Sequence, residues 1–175
     1  MLAILQKDWG SLPADRQISL LKKLKPDMLC EFVRRIDPKT ADISVLRWIA
    51  ARQEIDLATA LSLFCAFDPR NVNLVPKDAL PQDTRARSAV IDVLCQRINC
   101  GFYVPIASRK VVNPSAIVDW LRNQQEDRKA GRCGRWILDP SILSPIMCDR
   151  PIRARTRARA GLIQGLFTPL YVSSR

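Results

Sequence analysis

The chain has 175 residues, with 28 lysines and arginines against 17 aspartates and glutamates, no histidine, and a formal charge of +11. That length suits one domain, and with 47% apolar residues the material for a core is ample, which excludes wholesale disorder. No apolar run reaches the ~18–20 residues that span a bilayer, and without histidine the commonest metal ligand and any Ser-His or Cys-His catalytic pair are missing.

Charge is unevenly spread. Residues 1–80 hold 12 basic and 10 acidic side chains, residues 81–149 hold 10 and 7, and residues 150–175 hold 6 and none. The expected organisation is therefore a nearly balanced helical domain over 1–149 and a basic, then apolar, C-terminal extension over 150–175. Met1 to Leu5, followed by Lys7 and Asp8, is too short for a signal peptide, so a cytoplasmic protein is expected.

In chain order, residues 12–24 predict a helix with Ser11 as cap and Ile18, Leu20, Leu21 and Leu24 as its apolar stripe. Pro26 stops it and starts a second helix carrying Met28, Leu29, Phe32, Val33 and Ile36, which Asp37-Pro38 breaks. A third spans about Ala41 to Gln53, burying Ile43, Leu46, Trp48 and Ile49. Asp56 reads as the cap of a fourth, and Leu57 to Phe67 is apolar nearly all round, which marks that helix as central. A Pro-rich link over 70–83 precedes a fifth helix from Asp83 to Ile98. Asn99 to Pro105 reads as a tight turn and a short extended piece. Asn113-Pro114 opens a sixth helix ending at Gly131, and Asp139-Pro140 opens a short seventh to Met147. Seven helical segments and no convincing sheet predict an all-α fold, a compact bundle of short helices with Pro-punctuated connections.

The stretch Asp56-Leu57-Ala58-Thr59-Ala60-Leu61-Ser62-Leu63-Phe64, after a helix holding Leu46, Trp48 and Ile49, resembles a bacterial domain family of unknown function with an Asp-Leu-Gly-Thr-Ala-Leu-x-Ile-Phe stretch. The resemblance covers about residues 41–67, with Ala58 in place of the family's glycine. Some members lie in toxin–immunity or defence contexts, and the resemblance implies protein binding rather than catalysis.

The usual enzymatic signatures are missing. There is no phosphate-binding loop and no dinucleotide fingerprint. Ser19-Leu20-Leu21-Lys22 matches Ser-x-x-Lys without the partner motifs of acyl-transfer enzymes, and reads as an exposed pair on an amphipathic helix. Asp92 and Asp119 flank apolar positions and, if buried, require arginine partners. Arg34, Arg35, Arg47 and Arg52 read as surface charge balanced by Asp37, Asp42 and Glu54. The cysteines, Cys30, Cys65, Cys95, Cys100, Cys133 and Cys148, lack Cys-x-x-Cys spacing, so reduced, mostly buried thiols are expected, with no metal and no cofactor.

Three features carry recognition chemistry. The loop Asn99-Cys100-Gly101-Phe102-Tyr103 places two aromatics beside a permissive glycine, with Arg109 and Lys110 as a charged rim; it suits either a partner anchor or a plug in the core. Gly131-Arg132-Cys133-Gly134 has the outline of an RNA-clamping loop but lacks the surrounding strands, and a helix-terminating turn explains both glycines. The run Arg150, Arg153, Arg155, Arg157 and Arg159 suits an anion or an acidic surface. The resulting expectation is a non-enzymatic protein-binding protein of immunity or adaptor type, anchored by Asn99, Phe102, Tyr103, Arg109 and Lys110 and steered by the arginine run toward an acidic partner. The alternatives are nucleic-acid binding through that run, and peripheral membrane contact through Leu162 to Tyr171 beside it.

Overall fold

A computed structural model describes residues 9–147, apart from the side chains of Pro145 and Met147. The arginine run and the apolar segment after it lie outside the described residues, as does Cys148. The fold is all-α. Among the described residues seven α-helices follow in chain order: α1 (Ala14–Leu21), α2 (Pro26–Val33), α3 (Ile43–Ala50), α4 (Leu57–Ala66), α5 (Gln82–Asn99), α6 (Pro114–Lys129) and α7 (Pro140–Met147). Three 3-10 turns accompany them, at Trp9–Ser11, Pro69–Val72 and Lys77–Ala79, and no strand occurs among the described residues.

The predicted helices all form, with local differences at their ends. Helix α1 starts after Pro13 without a side-chain cap, because Ser11 is taken up in the preceding 3-10 turn. It also ends earlier than predicted, with Lys22 at its C-cap. Helix α3 starts behind Asp42, whose side chain accepts from the Ser44 N–H at 2.7 Å. Helix α6 starts at Pro114 behind Asn113, which accepts from Ala116 N–H. The Pro-rich link over 70–83, expected as a loop or short extended piece, is a loop shaped by the 3-10 turns at Pro69–Val72 and Lys77–Ala79.

Helix α4 is central, as its all-round apolarity requires. Every residue from Leu57 to Phe64 is buried, and the helix packs against α2, α5 and α6. Helix α3 packs in turn against α1 and α5. Leu46, Ile49, Leu61, Phe64, Leu94 and Ile98 are fully enclosed, each such side chain contributing about 1.5–3 kcal/mol relative to exposure. Trp120 of α6 meets Phe64 edge-on, with ring centroids 5.1 Å apart, an arrangement that suits the aromatic quadrupoles.

Two helices end in the same way. At the end of α5 the Phe102 N–H donates to Arg97 O at 3.0 Å and Gly101 N–H to Ile98 O at 3.1 Å, with Gly101 at φ 71°. At the end of α6, Arg132 N–H reaches Asp127 O and Gly131 N–H reaches Arg128 O, with Gly131 at φ 70°. Both are Schellman closures, which need a left-handed residue and favour glycine there. Gly101→Ala is expected to cost about 1 kcal/mol, because its neighbourhood is open space and only backbone strain opposes the methyl. Urea denaturation should show a lower midpoint with an unchanged slope.

Gly134 departs from the expected turn. Only Gly131 ends the helix; a Cβ on Gly134 would collide with the side-chain amide of Asn73. That glycine is a point of close approach, not a hinge.

Candidate interaction surface

The chain between α5 and α6 is held to the core from three directions. Tyr103 is buried and donates its hydroxyl to Ala50 O at 2.6 Å, at the carbonyl end of α3. Arg97 donates to the same oxygen at 2.8 Å and lays its guanidinium 4.3 Å from the Phe102 ring centroid. Burial pushes the Tyr103 phenol well above its ordinary range, with the nearby Arg97 pulling weakly the other way. Helix α3 thus has its C-terminal carbonyl satisfied by groups about fifty residues away in sequence, which suits an end whose orphan acceptors need partners.

A second set of bonds joins this loop to α4. Leu57 N–H donates to Val104 O at 3.1 Å, and Val112 N–H donates to Ser62 Oγ at 3.0 Å. Ser62 in turn donates to Ala58 O. Between these points Arg109 reaches inward to Asp56, with Nη1 3.3 Å from Oδ2, and also pairs with the exposed Asp27 at the start of α2. Asp56 has a side chain with no exposure at all. It accepts from Thr59 N–H and from the Thr59 hydroxyl, both at 2.9 Å, and Arg34 donates to that same hydroxyl at 3.1 Å. A buried carboxylate is tolerable only when paired and hydrogen-bonded, and this one is both.

The side chains expected to anchor a partner are therefore divided. Tyr103 is a plug in the core. Asn99 is committed inside the fold, donating to Ile137 O at 2.6 Å and accepting from Asp139 N–H at 2.9 Å. Phe102 is half-buried between Arg97 and Tyr103, and Arg109 is mostly covered by its two carboxylates. Lys110 is exposed. What the loop shows outward was not among the expected site residues. Val104 is 64% exposed, Val112 is 60% exposed and Ile106 is 39% exposed, with Val118 on the first turns of α6 at 43%. The alternation of inward and outward residues along Tyr103-Val104 and Val111-Val112 was the available signal.

Other expected features resolve differently. Asp92 and Asp119 are not buried; Asp92 accepts from the Trp136 indole at 2.7 Å and lies 3.8 Å from Lys77, while Asp119 pairs with Arg122 on the surface of α6. Their partners follow from position on α5 and α6 faces that look outward from the core. Of the four arginines, Arg35 pairs with Glu31 and Arg52 stacks on Trp48 at 4.8 Å, but Arg34 turns inward to Thr59. Asp37 and Asp42 each accept with one oxygen from the backbone, of Lys39 and Ser44. Ser19 donates to Asp15 O, an ordinary back-bond within α1.

Among the described residues no group of three or more cysteines and carboxylates could hold a metal ion, and no helix is long and apolar enough to cross a membrane. Cys30, Cys65, Cys95, Cys100 and Cys133 are free thiols. Burial pushes Cys65 up to about 12 and Cys95 up to about 11, and raises Cys30 as well. A thiol whose folded pKa is raised favours the folded state below its unfolded value and loses that advantage as pH climbs toward the folded one. Stability is therefore expected to fall from about pH 9 toward pH 11–12, and Cys65→Ala should flatten that decline in denaturation midpoints. At pH 8, peptide mapping after brief alkylation should find Cys100 and Cys133 labelled and the buried Cys30 and Cys95 protected, with the half-buried Cys65 slowed by its raised pKa.

Comparison with protein families, curated proteins and solved structures finds no match to this chain.

Proposed function

We propose that the protein is a non-enzymatic binding protein of immunity or adaptor type that engages an acidic surface of another protein. The observation that carries this reading is the exposed apolar set within residues 104–112: Val104, Ile106 and Val112 are exposed, the same segment carries the exposed Lys110, and its backbone is fixed to α4 at Leu57 and Ser62. Exposed apolar side chains on a rigid base cost little ordering entropy on association. A neighbouring cation favours an acidic counterpart and speeds encounter more than it adds affinity. The immunity or adaptor role is drawn from the resemblance over residues 41–67. A cytoplasmic location belongs to the same reading and is supported by the free thiols, which suit a reducing compartment.

The test is pull-down from the native host with the full chain carrying a photo-crosslinker at position 104 or 112, against a control at the exposed Gln125, near the C-terminal end of α6. A single partner crosslinked at 104 and 112 but not at 125 is expected. Val104→Asp with Val112→Asp should weaken its capture at least about tenfold, as for loss of a central apolar anchor. Recovery of no partner, or capture indifferent to both substitutions, would sink the proposal.

A second reading rests on the six basic residues, with no acid among them, over 150–175. If that segment serves nucleic acid, the full chain should bind random duplex DNA with a steep salt dependence. Replacing Arg153, Arg155, Arg157 and Arg159 with Gln should then reduce the slope by about 0.9 for each phosphate no longer neutralised. A flat salt titration rejects it.

A further inference from the structure

Away from the 104–112 face, a cavity of about 470 Å³ opens between the 3-10 turn at Trp9–Ser11, α1, α2 and the loop leading into α3. That volume falls within the ~300–1,000 Å³ typical of small-molecule sites. Its apolar lining includes Trp9, Phe32 and Ile36, with Trp9 and Phe32 meeting edge-on at 4.6 Å between ring centroids.

The polar lining holds Gln17, Thr40, two carboxylates, Asp37 and Asp42, and one cation, Arg35. Gln17 is only 5% exposed, and its amide nitrogen is fully used, donating to Trp9 O at 3.0 Å and Leu12 O at 2.8 Å. Its Oε1 is buried without any hydrogen-bond partner. A buried acceptor left unmet is destabilising, so it calls for a donor. Asp37 and Asp42 also line the cavity; Asp42 uses one oxygen on Ser44 N–H, and Asp37 accepts from Lys39 N–H and, weakly, from the Thr40 hydroxyl. Both cations, Arg35 in the lining and Arg87 behind the loop, have partners. Arg35 pairs with Glu31, and Arg87 holds the loop through the carbonyls of Pro38 and Ala41.

We propose that this cavity binds a small organic ammonium with an aromatic or branched apolar body. The apolar body would lie against Trp9, Phe32 and Ile36, and the ammonium would supply donors to the two carboxylates and, with a turn of the Gln17 side chain that brings its covered Oε1 to the cavity wall, to that oxygen. Aromatic walls beside carboxylates favour cations over neutral isosteres of the same shape, since both the ring faces and the charges attract them.

The experiment uses the full chain and three probes of similar size: phenethylammonium, 2-phenylethanol and 3-phenylpropionate. Titrations are followed by NMR at the Gln17 side-chain amide and the Trp9 indole. Phenethylammonium should shift both signals saturably, and the other two should bind at least about tenfold more weakly, in line with a charge-assisted hydrogen bond. Asp37→Asn and Asp42→Asn, alone and together, keep the acceptors that the backbone of Lys39 and Ser44 needs, so the fold is retained; together they should weaken phenethylammonium about tenfold. No saturable shift with phenethylammonium, equal binding of the alcohol, or affinity unmoved in the folded double variant would each overturn the proposal.

Discussion

Asp56→Ala is expected to destabilise the protein by about 3–5 kcal/mol, the range for removing one member of a buried ion pair. The carboxylate does three jobs from a position with no solvent access: it caps α4 through Thr59 N–H, it orients the Thr59 hydroxyl toward Arg34, and it neutralises Arg109. Alanine would leave the first turn of the central helix unsatisfied and an arginine without its inner partner. Asp56→Asn separates these roles. It keeps an acceptor for the cap, so the part of the loss due to the cap should be recovered while the part due to charge remains. Urea denaturation of the wild type and both variants measures the partition, and an Asp56→Ala cost below about 1 kcal/mol would show that this network is not a support of the fold. Because Arg109 belongs to the 104–112 loop, the same substitution should also loosen that loop and raise hydrogen exchange at Val112 N–H.

Trp136→Ala carries the other large effect, about 3–5 kcal/mol by cavity formation. Trp136 is among the largest fully buried side chains, lies in the irregular chain between α6 and α7, and has its indole N–H on Asp92. Trp136→Phe should cost much less, since Asp92 remains partly exposed and close to Lys77. Thermal unfolding of the two variants distinguishes volume from hydrogen bonding. Equal losses in both would mean that the indole bond, not the buried ring, dominates.

The helices were legible because their signals are local. Asp56 before an apolar run, Asn113-Pro114 and Gly131 after a polar turn each dictate a helix end within a few residues, and each does so in the structure. The inward destination of Tyr103 was open in the sequence, since an aromatic loop serves equally as anchor or plug, and the deciding acceptor, Ala50 O, is 53 residues away. The outward valines were hidden for a related reason: Val104 and Val112 are apolar residues of β-type that composition assigns to a core. Gln17 and the cavity it lines were also invisible, because the site depends on a loop from 37 to 42 folding back over α1 and α2. The inward turn of half-buried Arg34 and the half-exposed place of Asp92 likewise followed from tertiary placement rather than from their neighbours in sequence.

The chain from Arg135 to Asp139 has a further consequence. Its backbone groups bond mainly to amide side chains and not to another strand: Asn73 takes Trp136 N–H, Gln124 both gives to Leu138 O and takes from Leu138 N–H, and Asn99 bridges Ile137 O and Asp139 N–H. Trp-Ile-Leu is a run with high tendency to pair edge to edge between molecules. Three amides from three different segments occupy its hydrogen-bonding groups in advance, so the folded protein offers no free backbone edge there for another chain to pair with.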